Sequence, residues 1–84
     1  MKFQEISKEM FQIIFNERLD ELIGKNKVAI GGVIPLNGFD TNENNWSSDF
    51  VLVKCAIDKD IAHSLILKVT REFMGKYNLQ EKSH

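Results

Sequence analysis

The chain has 84 residues and a formal net charge of −1, which is enough for one small domain. A domain of this length buries only about 60–65% of the surface that its unfolded chain exposes, so its core needs further support. The single cysteine, Cys55, cannot form an intramolecular disulfide, and no Cys/His cluster predicts structural zinc. We therefore expect a second copy of the chain, in a homodimer, to supply that support.

Charge and hydropathy argue against several classes of protein. The charged residues are spread along the chain without a basic patch, which argues against a nucleic-acid partner. Acidic residues interrupt the first ten positions, unlike a signal peptide, and no apolar run approaches the ~20 residues that span a membrane. The sequence therefore predicts a soluble cytoplasmic protein with no membrane partner.

The first long pattern is helical. Residues 1–6 are either a frayed lead-in or a very short edge strand. Ser7 is an N-cap residue type in front of a helix that extends to about Ile23, where Gly24 is a natural stop. Arg18 lies inside the wide apolar arc of this helix. Its side chain either packs along its stem with the head in water, or it is a buried interface or phosphate-binding arginine.

Two apolar runs, residues 28–36 and 50–57, form the centre of the predicted fold. Both are rich in β-branched residues and too short for buried helices, so they predict two strands of an antiparallel hairpin. Gly31 and Gly32 predict a bulge or a close backbone approach. Both faces of both strands are apolar, so we expect cover on both sides, with the sheet extended by dimerisation.

A long polar loop, residues 37–49, joins the two strands. Asp40, Asn42 and Asn44 have the spacing that opens an EF-hand calcium loop. The sixth position, however, lacks the required glycine and the twelfth lacks the bidentate glutamate, and strands instead of helices flank the loop. We therefore predict a solvated loop, no metal ion and no cofactor.

Phe39 and Trp46 are the two large aromatic residues of this loop. They either fold back onto the sheet or contact a partner, since aromatic residues concentrate at the hot spots of interfaces. The loop is longer than a hairpin needs, and such loops are often functional. We place the first-choice partner surface here.

The second helix begins at Asp58 or Asp60, extends to about Tyr77 and has a weak point at Gly75. Its apolar residues form one stripe that predicts contact with the core: Ile61, Ala62, Leu65, Ile66, Val69, Phe73 and Tyr77. Residues 78–84 are predicted to form a frayed tail.

Leu67 and Met74 lie away from this stripe, on the flank of the second helix, with His63 near them. A separate apolar patch on a helix predicts a second partner surface. No catalytic residues are predicted, because His63 and His84 have no matching nucleophile.

The order of elements resembles the first half of the CheC/CheX-type chemotaxis phosphatase domain. The residues that carry the resemblance are 29–33, 50–53 and the helix over 61–75. It implies removal of phosphate from a response regulator by a Glu-x-x-Asn pair on a later helix. No Glu-x-x-Asn occurs in this chain, so we do not expect the activity to carry over. Profilin-like regulatory folds of the roadblock kind share a similar opening order.

The sequence thus predicts one α+β domain over residues 1–84, an α-β-β-α unit in which two amphipathic helices cover an antiparallel hairpin. We expect a non-enzymatic regulatory or adaptor module that acts as a homodimer and binds another protein. The alternative is a response-regulator phosphatase half-domain of the CheC/CheX kind. The residues predicted to contact a partner are Phe39, Trp46, Leu67, Met74 and Arg18.

Overall fold

The computed structural model describes residues 3–80. The elements in chain order are β1 (Gln4–Ile6), α1 (Lys8–Ile23), β2 (Val28–Ile30), β3 (Leu52–Cys55), α2 (Lys59–Met74) and β4 (Tyr77–Leu79). The predicted α+β class is confirmed, with α1, β2, β3 and α2 in the predicted order. The strands form two separate pairs, in which β2 is antiparallel to β3 and β1 is parallel to β4.

The parallel pair of β1 and β4 joins the two ends of the described chain. Residues 4–6 form a strand, which is one of the two predicted alternatives. The prediction of a frayed tail is wrong for Asn78 and Leu79, because both are buried in β4. Residues 81–84 of that predicted tail lie outside the described residues. Neither strand lies in a longer apolar run, so neither has a pattern that can be recognised in the sequence.

The bounds of α1 are those that its capping residues predict. Ser7 Oγ accepts a hydrogen bond from the Met10 N–H at 3.1 Å, which satisfies one of the free donors of the first turn. The helix ends at Ile23, and Gly24 follows with a φ of 103°, a backbone conformation that favours glycine. Local sequence therefore determines both ends of this helix.

The second helix is shorter than predicted at its C-terminal end. Asp58 caps its first turn by accepting a hydrogen bond from the Asp60 N–H at 2.9 Å. The helix ends at Met74, and Gly75 forms the C-cap. Tyr77, the predicted last residue, belongs instead to β4. Within residues 3–80, neither helix is long and apolar enough to cross a membrane.

Five aromatic rings form the centre of the core. Phe11 and Phe15 of α1 are fully buried and contact Phe73 of α2 edge to face, with ring centroids 5.2 and 5.0 Å apart. Trp46 packs edge to face on Phe11 at 4.8 Å, and Phe50 packs on Phe15 at the same distance. Such pairs stabilise by ~0.5–1.5 kcal/mol each beyond the burial of their area. They hold both helices and the end of the long loop together.

The β2–β3 hairpin is covered on one face only. Val28 and Ile30 are buried against the core, whereas Val51 and Val53 are 64% and 63% exposed. The expected cover on both sides is therefore absent within residues 3–80: α1 packs on β2 from the inner side, and the outer face stays exposed. An apolar outer face is left in contact with water.

A β-bulge interrupts the pairing of β2 and β3 next to the glycines, as Gly31 and Gly32 predict. The register shifts between Ala29 and Ile30, which leaves Val53 as the extra residue of β3. The Gly31 N–H donates to the Val51 carbonyl at 2.9 Å, and a Cβ at Gly31 would lie 3.2 Å from Val53 Cγ1. Gly31 thus permits the close approach of the two strands, as predicted.

Candidate protein-interaction surface

Asparagine side chains tie the long loop to β4. Asn45 Oδ1 accepts a hydrogen bond from the Leu79 N–H at 2.8 Å, and Asn45 Nδ2 donates to the Leu79 carbonyl at 2.9 Å. One side-chain amide therefore takes the place of a neighbouring strand. The buried Asn44 donates to Asn78 Oδ1 at 2.9 Å and to the Tyr77 carbonyl at 3.2 Å. This part of the loop is fixed in place by hydrogen bonds.

The residues that resemble the start of a calcium loop bind the loop's own backbone. Asp40 Oδ1 accepts hydrogen bonds from the N–H groups of Asn42 and Asn44, at 2.8 and 3.0 Å. Such side-chain contacts form Asx-turns. Within residues 3–80, no three His, Cys, Asp or Glu side chains are placed to hold a metal ion.

Trp46 is a core residue. Its side chain is 1% exposed, and its Nε1–H donates to the Tyr77 carbonyl at 2.9 Å. Of the two alternatives for this side chain, packing on the chain's own core is therefore correct. The prediction that Trp46 contacts a partner is wrong, because a fully buried ring has no surface to present.

Phe39, the other aromatic residue of the loop, is 64% exposed. It lines an open cleft at the β1–β4 end of the molecule, together with Phe3, Glu5 and Glu43. Phe39 and Trp46 lie in the same loop, seven positions apart, but one side chain is exposed and the other is buried. Contact of Phe39 with a partner stays a prediction.

Arg18 joins α1 to α2. Its Nε and Nη2 donate to the two carboxylate oxygens of Glu72 at 2.9 and 3.2 Å, and its Nη1 donates to Glu21 at 3.0 Å. These hydrogen bonds raise the pKa of Arg18, and the bond from Arg18 lowers the pKa of Glu72. Because the guanidinium already pairs with two carboxylates of its own chain, we do not include Arg18 in the interaction surface.

The two edges of the β2–β3 sheet differ in how their backbone groups are satisfied. On the β2 edge, Asn16 Oδ1 accepts from the Ile30 N–H at 2.8 Å, and Asn16 Nδ2 donates to the Ile30 carbonyl at 3.2 Å. Gln12 donates to the same carbonyl at 3.4 Å. Within residues 3–80, β3 pairs with β2 alone and has no strand on its other side. One edge is covered by side chains and the other is open.

An apolar groove of about 510 Å³ lies beside the open edge, between β3 and α2. Its lining is apolar at Phe50, Leu52, Ile66, Leu67 and Met74 and polar at Ser48, Asp49, His63 and Thr70. Leu67 and Met74 were predicted as a partner surface from the helical pattern alone. The structure places both next to Leu52 of the open edge.

We refer to the open edge and its surroundings as the β3 surface, formed by Val51, Leu52, Val53, Leu67 and Met74. The two valines lie on the outer face of the sheet, and the other three residues line the groove on the inner side. The surface therefore combines unpaired backbone with apolar side chains on both sides of it. Both features are typical of a surface that binds another strand.

Two residues that cover strand edges, Asn16 and Asn45, were not predicted from the sequence. Asparagine is unfavourable inside a helix because its side chain competes for backbone hydrogen bonds. A lone asparagine in the middle of α1, at Asn16, was the available signal. Asn45 lies among many polar loop residues, so nothing in the sequence distinguishes it.

No family model, no curated protein and no solved structure matches this chain. The resemblance to the CheC/CheX-type domain therefore stays a prediction. The function is inferred from the β3 surface.

Proposed function

We propose that this chain is a non-enzymatic regulatory or adaptor module that acts as a homodimer through the β3 surface. The open edge of β3 is the observation that carries the proposal. An edge strand presents a row of unpaired N–H and C=O groups, which is a template for pairing with another strand. A second β3 strand supplies a matching row.

The side chains around this edge favour burial. Val51 and Val53 lie on the outer face, largely exposed, beside the open backbone. Edge strands that must stay unpaired are usually protected by charged residues. Within the described residues, the edge of β1 away from β4 has no neighbouring strand, and Glu5 is an exposed charged residue of this strand. β3 also carries one charged residue, Lys54, so the feature that favours burial of this edge is the exposed pair Val51 and Val53 beside it.

A second copy fits the β3 surface because the resulting sheet stops growing. Antiparallel pairing of two β3 strands gives a four-stranded sheet with one β2 strand at each outer edge. Asn16 and Gln12 of each copy already cover those outer edges through Ile30. The assembly therefore closes at two chains related by a two-fold axis, the commonest symmetry of soluble oligomers.

Measurement of the particle mass by light scattering or sedimentation tests the proposal. We expect about 19 kDa, twice the chain mass of 9.7 kDa. Val53→Lys should reduce the mass to that of one chain, because it places a charge in the interface, and circular dichroism should show an unchanged fold. Ile13→Lys is the matched control, since Ile13 is also half-exposed but lies on α1, outside the β3 surface.

Two results would contradict the proposal. The first is a wild-type particle of one chain at the highest soluble concentration. The second is an equal loss of the dimer in the Val53→Lys and Ile13→Lys variants, because the interface would then not depend on β3.

A further inference from the structure

We infer the register of this dimer: the two β3 strands pair antiparallel about a two-fold axis at Leu52, so that Val51 lies opposite the partner's Val53. The inference rests on the proposed homodimer and adds which residues meet. Two features of the chain select this register: the backbone groups, with the hydrogen bonds they already make, and the faces of the side chains.

The hydrogen bond from Gly31 establishes the direction of the backbone groups. The Val51 carbonyl accepts from the Gly31 N–H at 2.9 Å and therefore points toward β2. Successive residues of a strand direct their backbone groups to opposite edges, so those of Leu52 point to the open edge. Two Leu52 residues placed opposite each other exchange both N–H···O bonds. A register shifted by one residue would place Val51 opposite the partner's Leu52, although the Val51 carbonyl already accepts a hydrogen bond from Gly31 of its own chain.

The side-chain faces select the same register. Val51 and Val53 lie on the outer face, and Leu52 lies on the inner side in the groove. Residues that are directly opposite in neighbouring strands share a face of the sheet. With the axis at Leu52, the four valines of the two copies form one outer patch. A slip of one residue would place valine opposite leucine, on faces that do not match.

Existing backbone contacts exclude the two registers that differ by two positions. An axis at Val53 would require the backbone of Lys54 to bond the partner's Leu52, but Lys54 already pairs with Ala29 of β2. An axis at Val51 would require the Phe50 N–H to donate to the partner's Leu52, but it already donates to the Ser48 carbonyl at 3.0 Å. With the axis at Leu52, the two Lys54 residues lie at opposite ends of the paired segment, ~14 Å apart at ~3.4 Å per residue. That separation exceeds the Debye length of about 10 Å at 0.1 M salt.

The groove beside β3 is completed by the partner strand. A sheet of two strands is too narrow to cover the flank of α2, which leaves Ile66, Leu67 and Met74 lining an open groove. A partner strand next to Leu52 widens the sheet by ~4.8 Å on this side. The same contact that pairs the backbone therefore also covers the Leu67 and Met74 patch.

Disulfide cross-linking of single-cysteine variants tests the register. All variants carry Cys55→Ser, which removes the native thiol. We expect Leu52→Cys to link to itself, because the Cα atoms of a hydrogen-bonded antiparallel pair lie ~5.5 Å apart, within the range of a disulfide. Val51→Cys and Val53→Cys should link to each other when mixed. Neither should link to itself, because its two copies would lie ~8 Å apart.

The outcomes separate the register from the homodimer. Rapid linkage in Leu52→Cys and in the Val51→Cys plus Val53→Cys mixture supports the register, with Ile13→Cys as the control for random collision. Faster linkage of Val51→Cys alone or Val53→Cys alone overturns the register but leaves the homodimer. A two-chain particle in which no β3 cysteine links overturns pairing at β3, and a one-chain particle overturns both. If Leu52→Cys destabilises the fold, linkage between the Val51→Cys and Val53→Cys variants still tests the register.

Discussion

Replacement of Trp46 by alanine tests whether the long loop belongs to the core. The side chain is fully buried and contacts Phe11 and Phe50, at ring-centroid distances of 4.8 and 6.0 Å. Truncation of such a residue lowers the free energy of unfolding by ~3–5 kcal/mol, because transferred area is lost and a cavity remains. The Tyr77 carbonyl also loses the indole N–H, but Asn44 still donates to it at 3.2 Å. The lost hydrogen bond therefore lowers the free energy of unfolding by only ~0.5–1 kcal/mol more.

A loss of this size is a large share of the total. A domain of this length has a free energy of unfolding of ~4–13 kcal/mol, at ~0.05–0.15 kcal/mol per residue. Urea unfolding followed by circular dichroism measures the change, since the variant lacks the only tryptophan. Trp46→Phe keeps a ring in the core and should lose less, about 1–3 kcal/mol. A loss below ~1 kcal/mol in Trp46→Ala would refute the core assignment.

Two further predictions concern the polar contacts of α1. Asn16→Ala should lower the free energy of unfolding by ~1–3 kcal/mol, because the buried Ile30 N–H loses its acceptor; it should also produce particles larger than two chains by opening the β2 edge. An Asn16→Ala protein that stays dimeric would show that this edge needs no cover. The second prediction concerns pH. The hydrogen bond from Arg18 lowers the pKa of Glu72 below its ordinary value of 4.5. The stabilisation that this ion pair contributes is therefore present above pH 4.5 and is lost as the pH falls through the lowered pKa. Glu72→Gln should therefore lose less stability than the wild type on acidification, and an equal loss would contradict this role.

The elements that could be predicted are those with long patterns and local end signals. Both helices span several turns and begin at a capping side chain, Ser7 or Asp58. The hairpin strands stand out because their β-branched runs are bounded by polar segments. By contrast, β1 and β4 lie in no such run, and they pair from opposite ends of the described chain. No local signal predicts that contact, because each strand is defined only by the other.

The candidate site could be predicted in part. The helical pattern placed Leu67 and Met74 outside the core stripe, and both line the groove. Trp46 was predicted either to fold back onto the sheet or to contact a partner, because the loop is longer than a hairpin needs and its other residues are mostly polar. Its neighbours Asn44 and Asn45 instead bind β4, which draws the ring inward. Composition does not show whether an amide is hydrated or bound to backbone.

The same device appears at both sheets and explains why β3 is distinctive. An asparagine side chain offers one acceptor and one N–H donor group, the pair that a neighbouring strand presents. Asn16 uses it on Ile30 of β2, and Asn45 uses it on Leu79 of β4. Within residues 3–80, β3 has no such cover, and the exposed valines and the open groove lie at the same edge. Since residues 3–80 of a single chain leave the backbone of this edge, the outer face and the groove uncovered together, one added strand is the simplest structure that covers all three.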